Sequence, residues 1–338
     1  MIQKLLLVGG IAVGLAAIGG FSWVLWEDRP AEASQTQLFR VPGGEALAVT
    51  AERLSDRRLI RNPVLFRWVY QILEGDGAFP AGTYSVPGGL SGHEAAAYFR
   101  HAKPLQVRIT VPEGWTASKI ARLLEEKQVV SAKEFLAVVS HPETLGNLGQ
   151  GLATLEGRLF PDTYQFSLAT PAVDVAKTFV QTFQERTAKW AGQLSPEDLN
   201  RKIVLASIVE REYRVNEEAP LIASVFQNRL DKGIALGSCA TIEYILTEIQ
   251  GRPHPKRVYF VYTQIPSPYN TYLNRGLPPG PISNPGLASL RAAFEPAKTD
   301  YLYFVVADAS RGTHQFSSNW SQHEKAREAY LNSFVSKG

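Results

Sequence analysis

The chain of 338 residues carries 35 Lys and Arg against 32 Asp and Glu, a formal net charge of +3. No Lys/Arg cluster is dense enough for a nucleic-acid partner, and an apolar fraction of 45% with 20% charged residues excludes extended disorder. Cys239 is the one cysteine, so no internal disulfide can form and stability must come from buried cores.

In chain order, residues 1–4 form a short cytoplasmic tip ending in Lys4, and Leu5 to Trp26 run without a charge. That run is long enough to cross a hydrocarbon core of about 30 Å as one helix. Its flanks suit a span whose following body lies outside the cytoplasm. Lys4 and the terminal amine precede it, Glu27 and Asp28 follow it, and Trp23 and Trp26 stand where an interfacial aromatic belt lies. Ala31-Glu32-Ala33 has the small-x-small form of a signal-peptide cleavage site. Against cleavage, the apolar run exceeds the roughly 7 to 15 residues of a signal core, and charges separate it from Ala31. The expectation is a retained anchor at residues 5–26, followed by a polar tether at 27–37.

Residues 38–150 contain a weak internal repeat. Phe39-Arg40-Val41-Pro42-Gly43-Gly44 is echoed by Ile109-Thr110-Val111-Pro112-Glu113-Gly114, and each is followed by a leucine-containing helical stretch and a second helix entered at Phe66 or Phe135. Ser91-Gly92-His93-Glu94 and Ser131-Ala132-Lys133-Glu134 have capping-box form and mark helix starts. A strand, a Pro-x-Gly turn and two short helices make an α+β unit that resembles a LysM module, a binder of N-acetylglucosamine polymers. A spacer role for the same unit stays open.

From residue 151 to 338 the pattern predicts a larger α+β domain. Pro171 to Gln193 and Pro220 to Lys232 have helical apolar spacing. Between them, Leu205, Ile208, Val209 and Glu212 fall on one helical stripe, whereas Glu210 and Arg211 point the other way. A carboxyl held against apolar walls has its pKa raised, as a general acid requires, so Glu212 is the first candidate for chemistry. A buried glutamate paired with a distant cation is the competing reading. Prolines and glycines from Arg252 to Gly286 predict a long ordered loop. Tyr301 to Ala307 then reads as a buried strand, with His314 to Ser317 as its partner and Ser321-Gln322-His323-Glu324 capping a final helix.

The sequence lacks His-Glu-x-x-His and clustered Cys/His sets, which argues against a metal site. It also lacks Gly-x-Ser-x-Gly and Ser-x-x-Lys, which argues against a serine hydrolase or penicillin-binding enzyme, and it has no phosphate-cradling glycine loop. Carboxylate chemistry beside aromatic and amide groups remains. Tyr269-Asn270-Thr271-Tyr272 and Phe160-Pro161-Asp162-Thr163-Tyr164 supply stacking faces and hydrogen-bonding groups suited to a sugar, or else pin a long loop.

Three segments then carry a family resemblance: Leu155-Glu156-Gly157-Arg158-Leu159-Phe160-Pro161-Asp162-Thr163-Tyr164; Ala206-Ser207-Ile208-Val209-Glu210-Arg211-Glu212; and Ser267-Pro268-Tyr269-Asn270-Thr271-Tyr272 with Gly276 to Ile282 and Asn284-Pro285-Gly286. In order and spacing they resemble the endolytic murein transglycosylase (YceG-like) family. The resemblance implies a membrane-anchored lytic transglycosylase that needs no cofactor and cuts the β-1,4 bond between N-acetylmuramic acid and N-acetylglucosamine inside peptidoglycan strands. It places the catalytic glutamate on Glu212. Tyr269, Asn270, Thr271, Tyr272 and Thr241, with Phe160 and Tyr164, are the expected saccharide contacts. Glu156 and Asp162 are reserve acids assigned mainly to fixing the Gly157 turn.

Where many relatives have an Asp-Pro pair, Ser238-Cys239-Ala240-Thr241 stands here, which favours a mechanism using Glu212 alone; Cys239 is expected to be a packed thiol. The resemblance further implies the bacterial inner membrane, with the catalytic domain on its periplasmic or extracellular side, and peptidoglycan synthases as partners. A non-catalytic wall-binding anchor and a hydrolytic muramidase using Glu212 with Glu156 or Asp162 are the alternatives.

Overall fold

The computed structural model describes Trp26, Asp28 and residues 35–74 and 80–335. The expected span at 5–26 therefore lies outside the described residues except for Trp26. Among the described residues no helix is long and apolar enough to cross a membrane. The described residues divide into two compact units, those up to 107 with 165–170, and 108–164 with those from 171 onward. The architecture is mixed α+β, with short two-stranded sheets set among helices, as the sequence pattern predicts.

In the first unit, β1 (Gln37–Val41), α1 (Leu47–Asp56), α2 (Pro63–Glu74) and β2 (Gly82–Val86) precede α3 (Gly92–His101). β1 and β2 pair antiparallel with Phe39 opposite Tyr84. Alternation along β1 turns Phe39 and Val41 inward, where they join Leu54 of α1, Phe66 of α2 and Phe99 of α3 in one core. Phe99 stands edge-on to Phe66 at 6.1 Å and to Tyr84 at 5.4 Å. At the start of α3, Ser91 and Glu94 satisfy one another's backbone N–H groups, the reciprocal cap that their spacing predicts.

The predicted repeat is present as β3 (Gln106–Thr110), α4 (Ala117–Glu126) and α5 (Ala132–Ser140), the same order as β1, α1 and α2; β3 pairs with β4 (Thr163–Ser167). The echoed positions Phe66 and Phe135 are both fully buried. Ser131 caps α5 by accepting from Glu134 N at 3.2 Å.

The second unit continues with α6 (Ala172–Ala191), α7 (Pro196–Val209), α8 (Ala219–Asp231), α9 (Cys239–Tyr244) and α10 (Leu287–Phe294). A hairpin of β5 (Tyr303–Asp308) and β6 (Thr313–Ser317) then leads into α11 (Trp320–Val335). Ile203, Ile208, Ile222, Phe226 and Leu290 gather α7, α8 and α10 around one core. Arg252 to Gly286 holds no α-helix or strand, only a 3-10 turn at Phe260–Gln264, as its proline content dictates.

Two local expectations are corrected. β5 is half-buried apart from the exposed Ala307, because its sheet has only one other strand. The cap of α11 is Asn319, whose Oδ1 accepts from Gln322 N at 3.1 Å, so the helix starts ahead of Ser321.

Candidate active site

Ser195 accepts from Asp198 N at 3.1 Å and Pro196 occupies the first turn, which starts α7. From Ile203 to Val209 every residue is buried, so the end of this helix is sealed on all sides and has no polar face. The helix stops at Val209. Arg211 N and Glu212 N then bond back to Ile208 O and Val209 O at 3.0 Å, a tighter winding than the α-helix. Glu212 thus sits on the turn that closes α7 and not on a helical stripe.

The expected contrast between Glu210 and Glu212 is overturned. Both are partly buried, and burial pushes both carboxyl pKa values up to about 7. What differs is their partners. Glu210 Oε2 accepts from Gly286 N at 2.8 Å and from the Ser289 hydroxyl, which ties the end of α7 to the start of α10. Glu212 Oε1 accepts from the Ser238 hydroxyl. Against the dominant burial effect, that bond and the Arg211 charge lower the Glu212 pKa, whereas Glu243 raises it. Arg211 is itself held by Glu243 at 2.7 Å.

Ser238 is fixed from behind. Its N–H donates to Thr271 Oγ1 at 3.1 Å, its carbonyl accepts from Thr241 Oγ1 at 2.8 Å, and the two threonine hydroxyls lie 2.9 Å apart. The donor that faces Glu212 is therefore built into a rigid turn.

Glu212 lines at least two cavities among the described residues. One, of about 450 Å³, is walled by Ser238, Cys239, Tyr272, Tyr303, Trp320 and His323, and the other, of about 420 Å³, by Arg211, Arg214, Phe304, His314 and Tyr330. Each has the size of a small-ligand site, roughly 300 to 1,000 Å³. Among the described residues lining either one, Glu212 is the only carboxylic acid. In the first cavity Tyr303 stacks on His323 at 5.1 Å, with Trp320 5.5 Å from the same imidazole and 57% exposed. Arg229 braces this wall by donating to Ala235 O at 2.9 Å and to Leu302 O at 2.8 Å beneath the Tyr303 ring.

Of the predicted saccharide contacts, Tyr272 lines the first cavity and is 37% exposed, and Tyr269 is half-buried against Tyr244 with ring centroids 5.0 Å apart. The other five are corrected, because their side chains are sealed inside the protein. Asn270, Thr271 and Thr241 are buried, and Asn270 donates to Thr263 O at 2.9 Å and Ile265 O at 2.8 Å while accepting from Tyr272 N at 2.9 Å. A loop without a backbone ladder must satisfy its peptide groups with side chains, and it uses these residues to do so. Phe160 belongs to the core, and Tyr164 donates to Phe160 O at 2.5 Å with its ring 4.4 Å from Phe179.

Cys239 is exposed in the cavity wall, not packed, with Sγ 3.1 Å from the Tyr272 hydroxyl. Desolvation, then the charges of Glu212 and Glu243, hold its thiol above the ordinary value, which disfavours a thiolate nucleophile.

The reserve acids lie elsewhere. Asp162 pairs with Arg186 at 3.0 Å. Glu156 is buried, and burial pushes its pKa up to about 8. Its carboxyl accepts from Ala117 N, at the start of α4, at 3.0 and 3.1 Å and from Asn284 Nδ2 at 2.6 Å. Asn284 also accepts from Gly157 N at 2.8 Å and Leu159 N at 2.9 Å and donates to Trp115 O at 3.0 Å. Gly157 has φ of +84°, and a Cβ there would lie 2.5 Å from Pro281 Cγ. Glu156 thus knits three loops together. These partners are 39 and 128 residues away from it, so no local pattern could reveal them.

Sequence reasoning missed Ser238, Tyr303, Trp320 and His323. Only the position of Ser238 beside the departing Cys239 offered a signal.

The model of the YceG-like family matches residues 39–329. An endolytic murein transglycosylase of Bacillus subtilis is 30% identical over 341 residues, covering 96% of this chain and 92% of that protein. One from Streptococcus pneumoniae is 26% identical over 93% of this chain, which spans 62% of the pneumococcal protein. The crystal structure of a yceG-like protein from Listeria monocytogenes matches with a TM-score of 0.57 and 28% identity, covering 87% of this chain and 99% of that one. The chain belongs to the YceG-like family.

Proposed function

We infer that this chain is a peptidoglycan lytic transglycosylase that cuts the N-acetylmuramic acid to N-acetylglucosamine β-1,4 bond within glycan strands and leaves 1,6-anhydromuramic ends. The observation that carries the reading is Glu212, the one carboxylic acid among the described residues lining two cavities, with its pKa pushed up to about 7. Relatives named endolytic murein transglycosylase support the reaction class. A hydrolase ordinarily needs a second carboxylate across the scissile bond. A lytic enzyme does not.

Glu212, protonated at rest, gives its proton to the glycosidic oxygen as the bond from C1 breaks. The carboxylate left behind takes the proton of the C6 hydroxyl of the same muramic acid, and O6 closes on C1. Glu212 ends the cycle protonated, and no water is consumed. Intramolecular attack replaces the second carboxylate by proximity. Between the two transfers the Ser238 hydroxyl stabilises the ionised form. Tyr272 and Trp320 present flat faces to the sugar rings on one side of Glu212.

Residues 5–26 anchor the enzyme in the bacterial inner membrane with residues 27–37 as tether. The LysM-like region 38–150 engages N-acetylglucosamine-containing strands ahead of the catalytic domain at 151–338, which acts on the periplasmic or extracellular side. Cutting there trims or terminates nascent strands, in company with peptidoglycan synthases. The test is the time course of strand size. Purified strands should shorten rapidly through internal cuts, with one anhydro end per cut; release of end disaccharides alone would exclude endolytic action, and reducing muramic ends would make the enzyme a hydrolase.

A further inference from the structure

The first unit carries an apolar face that its own core does not use. α2 buries Phe66 and Tyr70, yet Val64, Trp68 and Ile72, four residues apart on the opposite side, are 57%, 68% and 78% exposed. A stripe of large apolar side chains in water marks an interaction surface. Its surroundings are basic. From Arg57 to Glu74 the chain has four arginines and one acid, Glu74, whose carboxylate pairs with Arg100 at 2.9 Å. Arg57, Arg58 and Arg61 are exposed.

The entry of the chain is the independent observation. Trp26, the last residue of the charge-free run from Leu5, lies against Arg61 just ahead of α2, with the guanidinium 4.9 Å from its ring centroid. Two residues on, Asp28 accepts from His93 N at 3.1 Å. The end of the apolar run is fastened beside the start of α2.

We propose that α2 rests on a lipid bilayer, with Val64, Trp68 and Ile72 immersed in the interfacial zone and Arg57, Arg58 and Arg61 against anionic headgroups. The proposal rests on the reading of residues 5–26 as a membrane anchor. An interfacial helix combines an aromatic and aliphatic face with arginine flanks, and both are present here. The anchor supplies a high effective lipid concentration, so a weak helix contact suffices to hold the first unit against the surface.

The test uses the full chain reconstituted in nanodiscs of phosphatidylcholine and phosphatidylglycerol, with and without brominated acyl chains that quench tryptophan on contact. Trp68→Phe keeps the apolar face, and the difference from the native chain isolates the Trp68 signal. The expected result is that brominated lipid quenches most of that signal, and less of it in phosphatidylcholine alone. If Trp68 stays unquenched while the remaining tryptophans, which include Trp23 and Trp26, are quenched, the anchor stands and the docking is overturned. Quenching of no tryptophan overturns the anchor and the docking together. An unquenched Trp68 whose emission shifts to the blue with protein concentration assigns the face to a second copy of the chain and also overturns the proposal.

Discussion

The Ser238 hydroxyl donates to Oε1 of Glu212, and the same serine is locked by Thr241 and Thr271. A donor aimed at a carboxylate favours its ionised form, so it opposes the burial that raises the Glu212 pKa. Ser238→Ala should move the alkaline limb of the kcat/KM profile upward by about one pH unit and lower kcat about tenfold. A pH series on purified strands checks it; a fall in rate with an unmoved profile would leave Ser238 a purely structural role.

Stability should fall with rising pH. Glu156, Glu210 and Glu212 have folded pKa values of about 8, 7 and 7 against an ordinary 4.5. Between about 4.5 and 8 the folded state holds protons that the unfolded chain has released, so each unit of pH favours unfolding. Above about 8 the loss is complete. Thermal unfolding should show a higher Tm near pH 5 than near pH 8, and Glu156→Gln, with no proton to lose, should shrink the difference.

Asn284 uses both ends of its amide, accepting from Gly157 and Leu159 and donating to Trp115 and Glu156, at full burial. Asn284→Ala strands several buried groups at once and should destabilise the fold by about 3 to 5 kcal/mol. Urea unfolding measures this directly.

Cavity aromatics and loop anchors should separate kinetically. Tyr272→Ala and Trp320→Ala remove exposed stacking faces and should raise KM about tenfold with kcat within about threefold. Asn270→Ala should instead lower Tm, because that side chain holds the loop from within.

The helices at Ala172–Ala191 and Ala219–Asp231, the repeat and the proline-rich loop were legible because each is written in local periodicity or breaker residues. Glu212 was singled out from a stripe of helical spacing, although α7 ends at Val209 and the carboxyl reaches its cavities from a turn. The environments of Glu156 and Glu210 were not legible. Their partners are Ala117 and Asn284 for Glu156 and Gly286 and Ser289 for Glu210, which the fold brings from 39 to 128 residues away. Asn270 and Thr271 misled for a related reason: polar loop residues beside tyrosines suit a sugar equally well whether they face the cavity or the backbone, and only tertiary burial decides.

The most direct measurement is mass spectrometry of products from purified glycan strands treated with the full chain, Glu212→Gln and Glu210→Gln. Glu210 has a similarly raised pKa but bonds to Gly286 and Ser289 and lines neither of the two cavities at Glu212, so it controls for burial. Internal fragments ending in 1,6-anhydromuramic acid should form with the native chain, drop at least about a thousandfold with Glu212→Gln, and persist with Glu210→Gln at a rate reduced by no more than about tenfold. Anhydro ends made undiminished by Glu212→Gln, or reducing ends made by the native chain, would contradict a lytic reaction run by Glu212 alone.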